Sequence, residues 1–461
     1  MRRAIGMLGF LVAALAPCAA WADGAEGAAA SAPAERRLHD VRLPNGLRVV
    51  IEEDHRAPFV AMRLAYATGS RDEAGAPGLV PEVALMMLDA TKHVPHGGYD
   101  RELDRIGAMY PSWDSSDDVS AFWVTVPSNA ISTVLWLWSD QMGFAAPTMD
   151  QTALDAARAN LRTSRGERDA AANAGVRDFI AQALYPEGHP YHVASGALPG
   201  APTPSLARAL YLQRFAPSNA VLVLCGDLNP EAVSKEVSKY FGPIPAAPAV
   251  PPKVPPVALD HEVRLEVAAA VRAPAVVLTW PTPPLYQPGD SALDVAAELL
   301  AGSRVSMLTW ELIDRLKIAS LVYAHQKSAA LGSQFEIWVT AGPGHSPDEL
   351  LPAIDTVLEN LRTTPVPSSG FSTALSDFQL PRILYQDGVA ERARRYGLFA
   401  LIHGDPNWLN GDLRRYLDLS PELVRQAAAR WLPAGGRIVT RITPDPGAPI
   451  SGELRSSAGV R

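Results

Sequence analysis

The sequence predicts an α+β protein built from two tandem homologous domains. Three observations carry this. A proline-rich stretch, "AAPAVPPKVPPVA" at 246–258, divides the chain near its middle; segments on either side of it repeat at a constant offset; and each half opens on strands, continues in helices and closes on a strand.

The repeat is explicit. "HRAPFVAMRLAY" starts at His55 and its counterpart "VRAPAVVLTWPT" at Val271; "RFAPSNAVLVLCGDLNP" starts at Arg214 and its counterpart "RWLPAGGRIVTRITPDP" at Arg430, and the two pairs share one offset. Equal offsets at the front and back of each half are the mark of an internal duplication. Proline has no backbone N–H and a fixed φ, so the stretch between the halves reads as a semi-rigid linker. The expected organisation is a signal peptide over 1–22, a flexible segment over 23–39, an N-terminal domain over 40–245, the linker over 246–258, a C-terminal domain over 259–447 and a disordered tail over 448–461.

Element by element, "LPNGL" supplies a turn before the strand "LRVVIEED", and "FVAMRLAYA" is a second strand rich in apolar residues. "LVPEVALMMLDA" and "NAISTVLWLWSDQMGF" have helical apolar spacing, and "SAFWVTVP" is a strand that stops at Pro127. In the second half, "QFEIWVTAGPG" is a strand closed by a turn, and "SPDELLPAIDTVLENL" is a helix that Ser346 can cap. Trp136 and Trp138 are expected in the core or a domain interface, and Gly69, Gly78, Gly226 and Gly302 at turns and helix starts, since no phosphate-loop pattern accompanies them.

The segment 1–22 carries two arginines, an apolar run and the small-x-small ending Ala20, Trp21, Ala22, the layout of a cleaved secretory signal. A lipoprotein reading on Leu15 and Cys18 is disfavoured by Pro17. The run is too short for a permanent anchor, and no later segment offers about 18 uninterrupted apolar residues, so no stable membrane insertion is expected; a secretory signal of bacterial layout would place the protein in the periplasm. Cleavage would leave Cys225 alone, ruling out an internal disulfide, and "AVLVLCGD" makes it a small buried hydrophobe. Removal of Arg2 and Arg3 takes 41 basic residues to 39 against 49 acidic, a net charge of -10 with no basic run, so nucleic acid is not an expected partner.

"LPNGLRVVIEED", "YATGSRDEAGAPGLVPEVALMM", "LWLWSDQMGF", "HPYHVASG", "YLQRFAPSNAVLVLCGDLNPE", "AGSRVSMLTWEL", "LGSQFEIWVTAGPG" and "YGLFALIHGDPNWLNGDLRRYLDLSPELV" resemble the pitrilysin, insulinase and mitochondrial processing peptidase family, the inverted zincins, over nearly the whole mature length. The resemblance implies mainly antiparallel sheets packed with helices, two domains to a chain or four to a dimer, forming a clamp-like chamber around an unfolded peptide. It also implies H-x-x-E-H on a helix, where histidines four apart bind one zinc ion and the glutamate activates water, with a further glutamate seventy to eighty residues on. Here the five positions are Pro81, Glu82, Val83, Ala84 and Leu85. Pro81, Ala84 and Leu85 neither coordinate zinc nor move a proton, and Glu82, roughly 100° round the helix from its neighbour, does not replace them.

The distal glutamate should fall in "ARANLRTSRGERDAA", where Glu167 lies between Asp155 and Asp169; without the histidines, a solvated helix charge is the better reading. A zinc site relocated to His93, His96, His189 and His192 is conceivable on paper, although Pro95 and Pro190 break helical geometry at both places. The resemblance further implies that a member without the zinc motif pairs with an active paralogue and lends it an arginine and a tyrosine from a stretch like "LRExxGLAY". "LIDRLKIASLVYAH" offers Arg315 and Tyr323, eight apart rather than seven. An arginine can hold peptide carbonyls or a carboxylate, and a phenol can donate to an oxyanion. The plain alternative pairs Arg315 with Glu311 on one helix face and leaves Tyr323 filling a strand. The expectation is thus a non-catalytic homologue that binds no cofactor itself, pairs with an active relative and helps enclose unfolded peptide; an active enzyme with relocated zinc and a periplasmic peptide-binding scaffold are the alternatives.

Overall fold

A computed structural model describes residues 36–73, 76–168, 173–192, 202–248, 251–384, 386–445 and 447–448; the side chains of 162–168 and 173–174 lie outside that description. The expected signal peptide and nearly all of the tail fall outside it as well.

The first sheet contains β1 (Leu38–Arg42), β2 (Arg48–Glu53), β3 (Phe59–Tyr66), β4 (Met109–Ser115), β5 (Ser120–Pro127) and β6 (Ala220–Gly226), in the order β1-β2-β6-β3-β5-β4. The second contains β7 (Val263–Ala269), β8 (Ala275–Thr282), β9 (Ala319–Lys327), β10 (Ser333–Ala341) and β11 (Ile438–Pro444), in the order β7-β11-β8-β10-β9. Without β1 the two orders are the same, and each sheet is antiparallel except for one parallel pair, β2 with β6 and β7 with β11. The duplication is therefore structural: β3 and β8 begin and end at the offset that separates His55 from Val271.

The closing strands depart from that offset. Met62 pairs with Leu224 in the first sheet, but Leu278, its equivalent, pairs with Val439 rather than with Thr440. A one-residue slip turns every side chain to the other face. Here it puts Val439 into the helix-covered core, sends Ile438 and Ile442 to the opposite face, and lets Arg441 reach Asp348 at 2.5 Å.

The helices are α1 (Leu79–Asp89), α2 (Gly98–Arg105), α3 (Ile131–Phe144), α4 (Gln151–Arg168), α5 (Asn173–Leu184), α6 (Pro204–Arg214) and α7 (Pro230–Phe241) in the first half. The second half has α8 (Asp290–Ala301), α9 (Met307–Thr309, continuing as a π-helical turn Trp310–Arg315), α10 (Pro347–Thr363), α11 (Ser368–Leu384), α12 (Val389–Leu398), α13 (Leu409–Leu417) and α14 (Pro421–Trp431). One core lies between the first sheet and α1, α3 and α7, and contains the fully buried Trp138, whose Nε1 donates to Tyr99 Oη at 2.9 Å; Trp136 packs at its rim. The equivalent core of the second sheet packs α8, α10 and α14. Ser346 stands at the start of α10 but does not cap it by accepting an N–H: its hydroxyl donates to Glu349 at 3.2 Å. Gly226 must be glycine, because at φ 144° a Cβ would stand 2.1 Å from Phe59 O.

The outer faces of the sheets are covered by exchanged helices. From the first half, α5 lays Val176, Ile180 and Leu184 on Leu265, Val277, Ile438 and Ile442 of the second sheet. From the second, α12, which starts at the repeat position of α5, lays Ala393 and Tyr396 on Val50, Ala61, Val221 and Cys225 of the first. Fully burying such side chains contributes about 1.5–3 kcal/mol apiece, so the exchange is worth of order 10 kcal/mol. Polar groups reinforce it. Arg392 of α12, with no exposed surface, donates to Glu52 at 2.8 Å and Asp54 at 2.5 Å. Asp118 accepts from Tyr191 Oη at 2.6 Å and from the second-half Ala330 N at 2.8 Å. The halves cannot part as rigid bodies without tearing out both helices.

Candidate functional site

The helix α1 begins after Gly78, which takes φ 89° and has no side chain with which to cap. Glu73 supplies the cap: its buried carboxylate accepts from Gly78 N at 2.7 Å and Val80 N at 3.2 Å, satisfying first-turn donors and placing negative charge at the positive helix end. Pro81 is tolerated because a first-turn N–H has no intrahelical partner to lose. Val80, Val83, Ala84, Met86 and Met87 face the core, while Pro81, Leu85 and Leu88 form a half-buried stripe. Glu82 is buried and pairs with Arg158 of α4 at 2.8 Å, and Arg158 also donates to Pro202 O at 2.9 Å.

The three positions at which the resemblance implies catalytic groups thus present a pyrrolidine ring, a fully buried methyl and a leucine. This donor set does not fit zinc. Glu82 is oriented into the helix pair and engaged there. Glu167 falls within α4, but its side chain lies outside the described residues.

The relocated zinc site is not assembled. His93 gives Nδ1 to the buried Asp140 at 2.5 Å, and His96 gives Nδ1 to Asp89. His189 is stacked on Tyr185 with ring centroids 4.6 Å apart, and its Nδ1 accepts from Tyr191 N; His192 bonds Tyr185 O at 2.7 Å. His93 packs beside α3, His96 stands exposed on Asp89 of α1, and His189 and His192 lie in the loop that follows α5; among the described residues no group of three or more His, Cys, Asp or Glu could hold a metal ion. Each proline-containing loop spends its histidines on local hydrogen bonds.

Arg315 ends the π-helical turn after α9, half exposed, with its guanidinium engaged by Glu311 at 2.6 Å. Lys317, at φ 59°, turns the chain into β9, where Tyr323 stands 47% exposed with its ring 4.9 Å from that of His325. Arg315 makes the pairing expected from helix spacing, and no contact joins it to Tyr323. Beneath Tyr323 lies a polar group the sequence did not single out. Glu336 is buried on β10, opposite His325, with Arg177 of α5 at 3.7 Å. Burial raises the Glu336 carboxyl above its usual range; burial first, then Arg177 and Lys327, lowers His325 to about 4, so the imidazole is neutral at pH 7. Alternation in "LVYAHQK" and "SQFEIW" was the available signal, but only strand pairing sets the two side by side.

The equivalent edge strands β4 and β9 are not alike. On β4 the pairing with β5 is interrupted by a bulge at Tyr110 and Pro111, with Tyr110 at φ 53° and 83% exposed, a common way to blunt an edge. On β9 the pairing runs unbroken from Leu321 to Lys327.

Residues 48–193 match the insulinase family, peptidase family M16, and residues 203–376 match the peptidase M16 inactive domain. The chain belongs to the M16 peptidase family. It is 24% identical over 403 residues to the zinc protease PqqE of Helicobacter pylori, covering 84% of this chain and 88% of that protein. Its fold is that of a protease from Helicobacter pylori of known structure, with a TM-score of 0.78 at 20% identity over 89% of this chain and 100% of that one. It is also similar to the first half of the periplasmic protease PqqL from Escherichia coli, with a TM-score of 0.66 at 17% identity over 88% and 92%. Two M16-like domains of antiparallel-rich sheet and helix are therefore present, and the M16 helix α1 carries no zinc-ligand set.

Proposed function

We propose that this chain is a non-catalytic M16 homologue that pairs with an active relative bearing H-x-x-E-H and helps that relative enclose and bind unfolded peptide. One observation carries the reading: an M16 scaffold whose helix α1 has Pro81, Ala84 and Leu85 where the family resemblance implies the catalytic groups. The exchanged helices support the pairing, because two halves that cannot part do not open a chamber between themselves; a second chain of the same architecture would supply the moving wall. Arg315 and Tyr323 would then be groups lent to the partner, the guanidinium to peptide carbonyls or a carboxylate and the exposed phenol to the oxyanion.

A periplasmic location fits the N-terminal signal layout, the periplasmic relative PqqL, and the finding that no described helix is long and apolar enough to cross a membrane. The test is capture of the tagged mature chain from native envelopes, followed by peptide hydrolysis assays. Recovery of a homologue with H-x-x-E-H, and chelator-sensitive hydrolysis only in its presence, is expected. Chelator-sensitive hydrolysis by the isolated chain would overturn the reading, and capture without such a homologue would leave a peptide-holding scaffold in its place.

A further inference from the structure

We infer that the Glu82–Arg158 ion pair is a metal-independent tie that holds α1 against α4. The two residues are 76 apart in the chain and meet at 2.8 Å, with 8% and 17% of their side chains exposed. A second Arg158 nitrogen donates to Pro202 O at 2.9 Å, so one guanidinium links α1, α4 and the start of α6. The neighbouring stripe of Pro81 and Leu85 has no polar group with which to hold α4, and the buried Glu73 cap fixes only the first turn of α1. A carboxylate and a guanidinium in low-exposure surroundings attract strongly and directionally, and removing one partner of such a pair costs more than the pair's net worth; Asp155, 3.9 Å from Arg158 on its own helix, makes no link to α1. The pair joins the same two helices that H-x-x-E-H and a distal glutamate on α4 would join through a metal. The inference rests on the reading that α1 carries no catalytic metal.

Hydrogen exchange of the full mature chain tests it. In E82Q and in R158M, amides of α1 from Val83 to Leu88 are expected to exchange at least tenfold faster while β3 and β10 are unchanged, and E82Q/R158M is expected to be no faster than either single variant. R158K keeps the charge but shortens the fork, so it should fold and give an intermediate rate. Unchanged α1 exchange in the single variants, additive effects in the double variant, or the same acceleration of wild type by a chelator would overturn the inference; the last would mean that a metal is the tie. Recovery or loss of a zinc-bearing partner in envelope capture leaves these rates unaffected, so the two readings fail separately.

Discussion

Replacing Arg392 with methionine is expected to uncouple the two halves. Arg392 reaches from α12 into the first sheet, and its four hydrogen bonds go to Glu52, Asp54 and the carbonyls of Gln386 and Asp387. Methionine fills similar length but leaves two largely buried carboxylates short of a counter-charge. Breaking a buried pair in this way costs about 3–5 kcal/mol. Arg36 remains on Glu52 at 3.1 Å and Arg56 on Asp54 at 2.7 Å, which places the loss at the lower end, near 3 kcal/mol. On a urea slope of about 3 kcal/mol per M, the midpoint should fall by roughly 1 M, and unfolding of the two halves should separate into two transitions. R392M/E52Q/D54N, which removes the stranded charges, should recover at least half the loss. A loss under about 1 kcal/mol with one unchanged transition, or a triple variant less stable than R392M, would refute the account of the exchanged helices. The acid limb offers a second check: hydrogen bonds from Arg56, then Arg392, hold Asp54 well below the usual carboxylate range despite burial, so wild type should lose stability as pH falls below about 4, and R392M should lose less.

Further expectations concern particular groups. Asp294 of α8 accepts from Tyr416 Oη at 2.5 Å and is raised to about 7 by burial and the nearby Asp290; its contribution is present below about pH 4 and lost as pH rises through 7, so D294N should flatten the fall of the urea midpoint between those values. Burial raises the Cys225 thiol well above its ordinary value, so a thiol reagent should label the native chain only as fast as it unfolds, and faster labelling would show an open route to the first sheet. In the complex with an active partner, Y323F should lower kcat by about 10²–10³-fold with little change in the urea midpoint of this chain, and an unaltered kcat would return Tyr323 to strand filling.

Much of the fold was legible in the amino acids alone. The constant-offset repeat, the proline stretch and the strands around "FVAMRLAY" and "SAFWVTVP" are local patterns of periodicity and turn chemistry, and β3, β5 and α1 fall where those patterns place them. The missing ligand chemistry was equally plain, since Pro81, Ala84 and Leu85 are what they are in any conformation. Other features depend on which surfaces meet. That α5 and α12 cover each other's sheets was hidden, because an apolar helix face does not name the sheet it will bury. The one-residue slip of β11, which exchanges Ile438 and Ile442 for Val439 in the helix-covered core, is set by strand pairing, and the separation of the two histidine pairs by the loops that hold them. Glu82 and Arg158, far apart in the chain, read as ordinary charges until packing of α1 on α4 removed the water between them. Composition and periodicity specified the elements and the absent chemistry; long-range burial, which no local window contains, decided the partners.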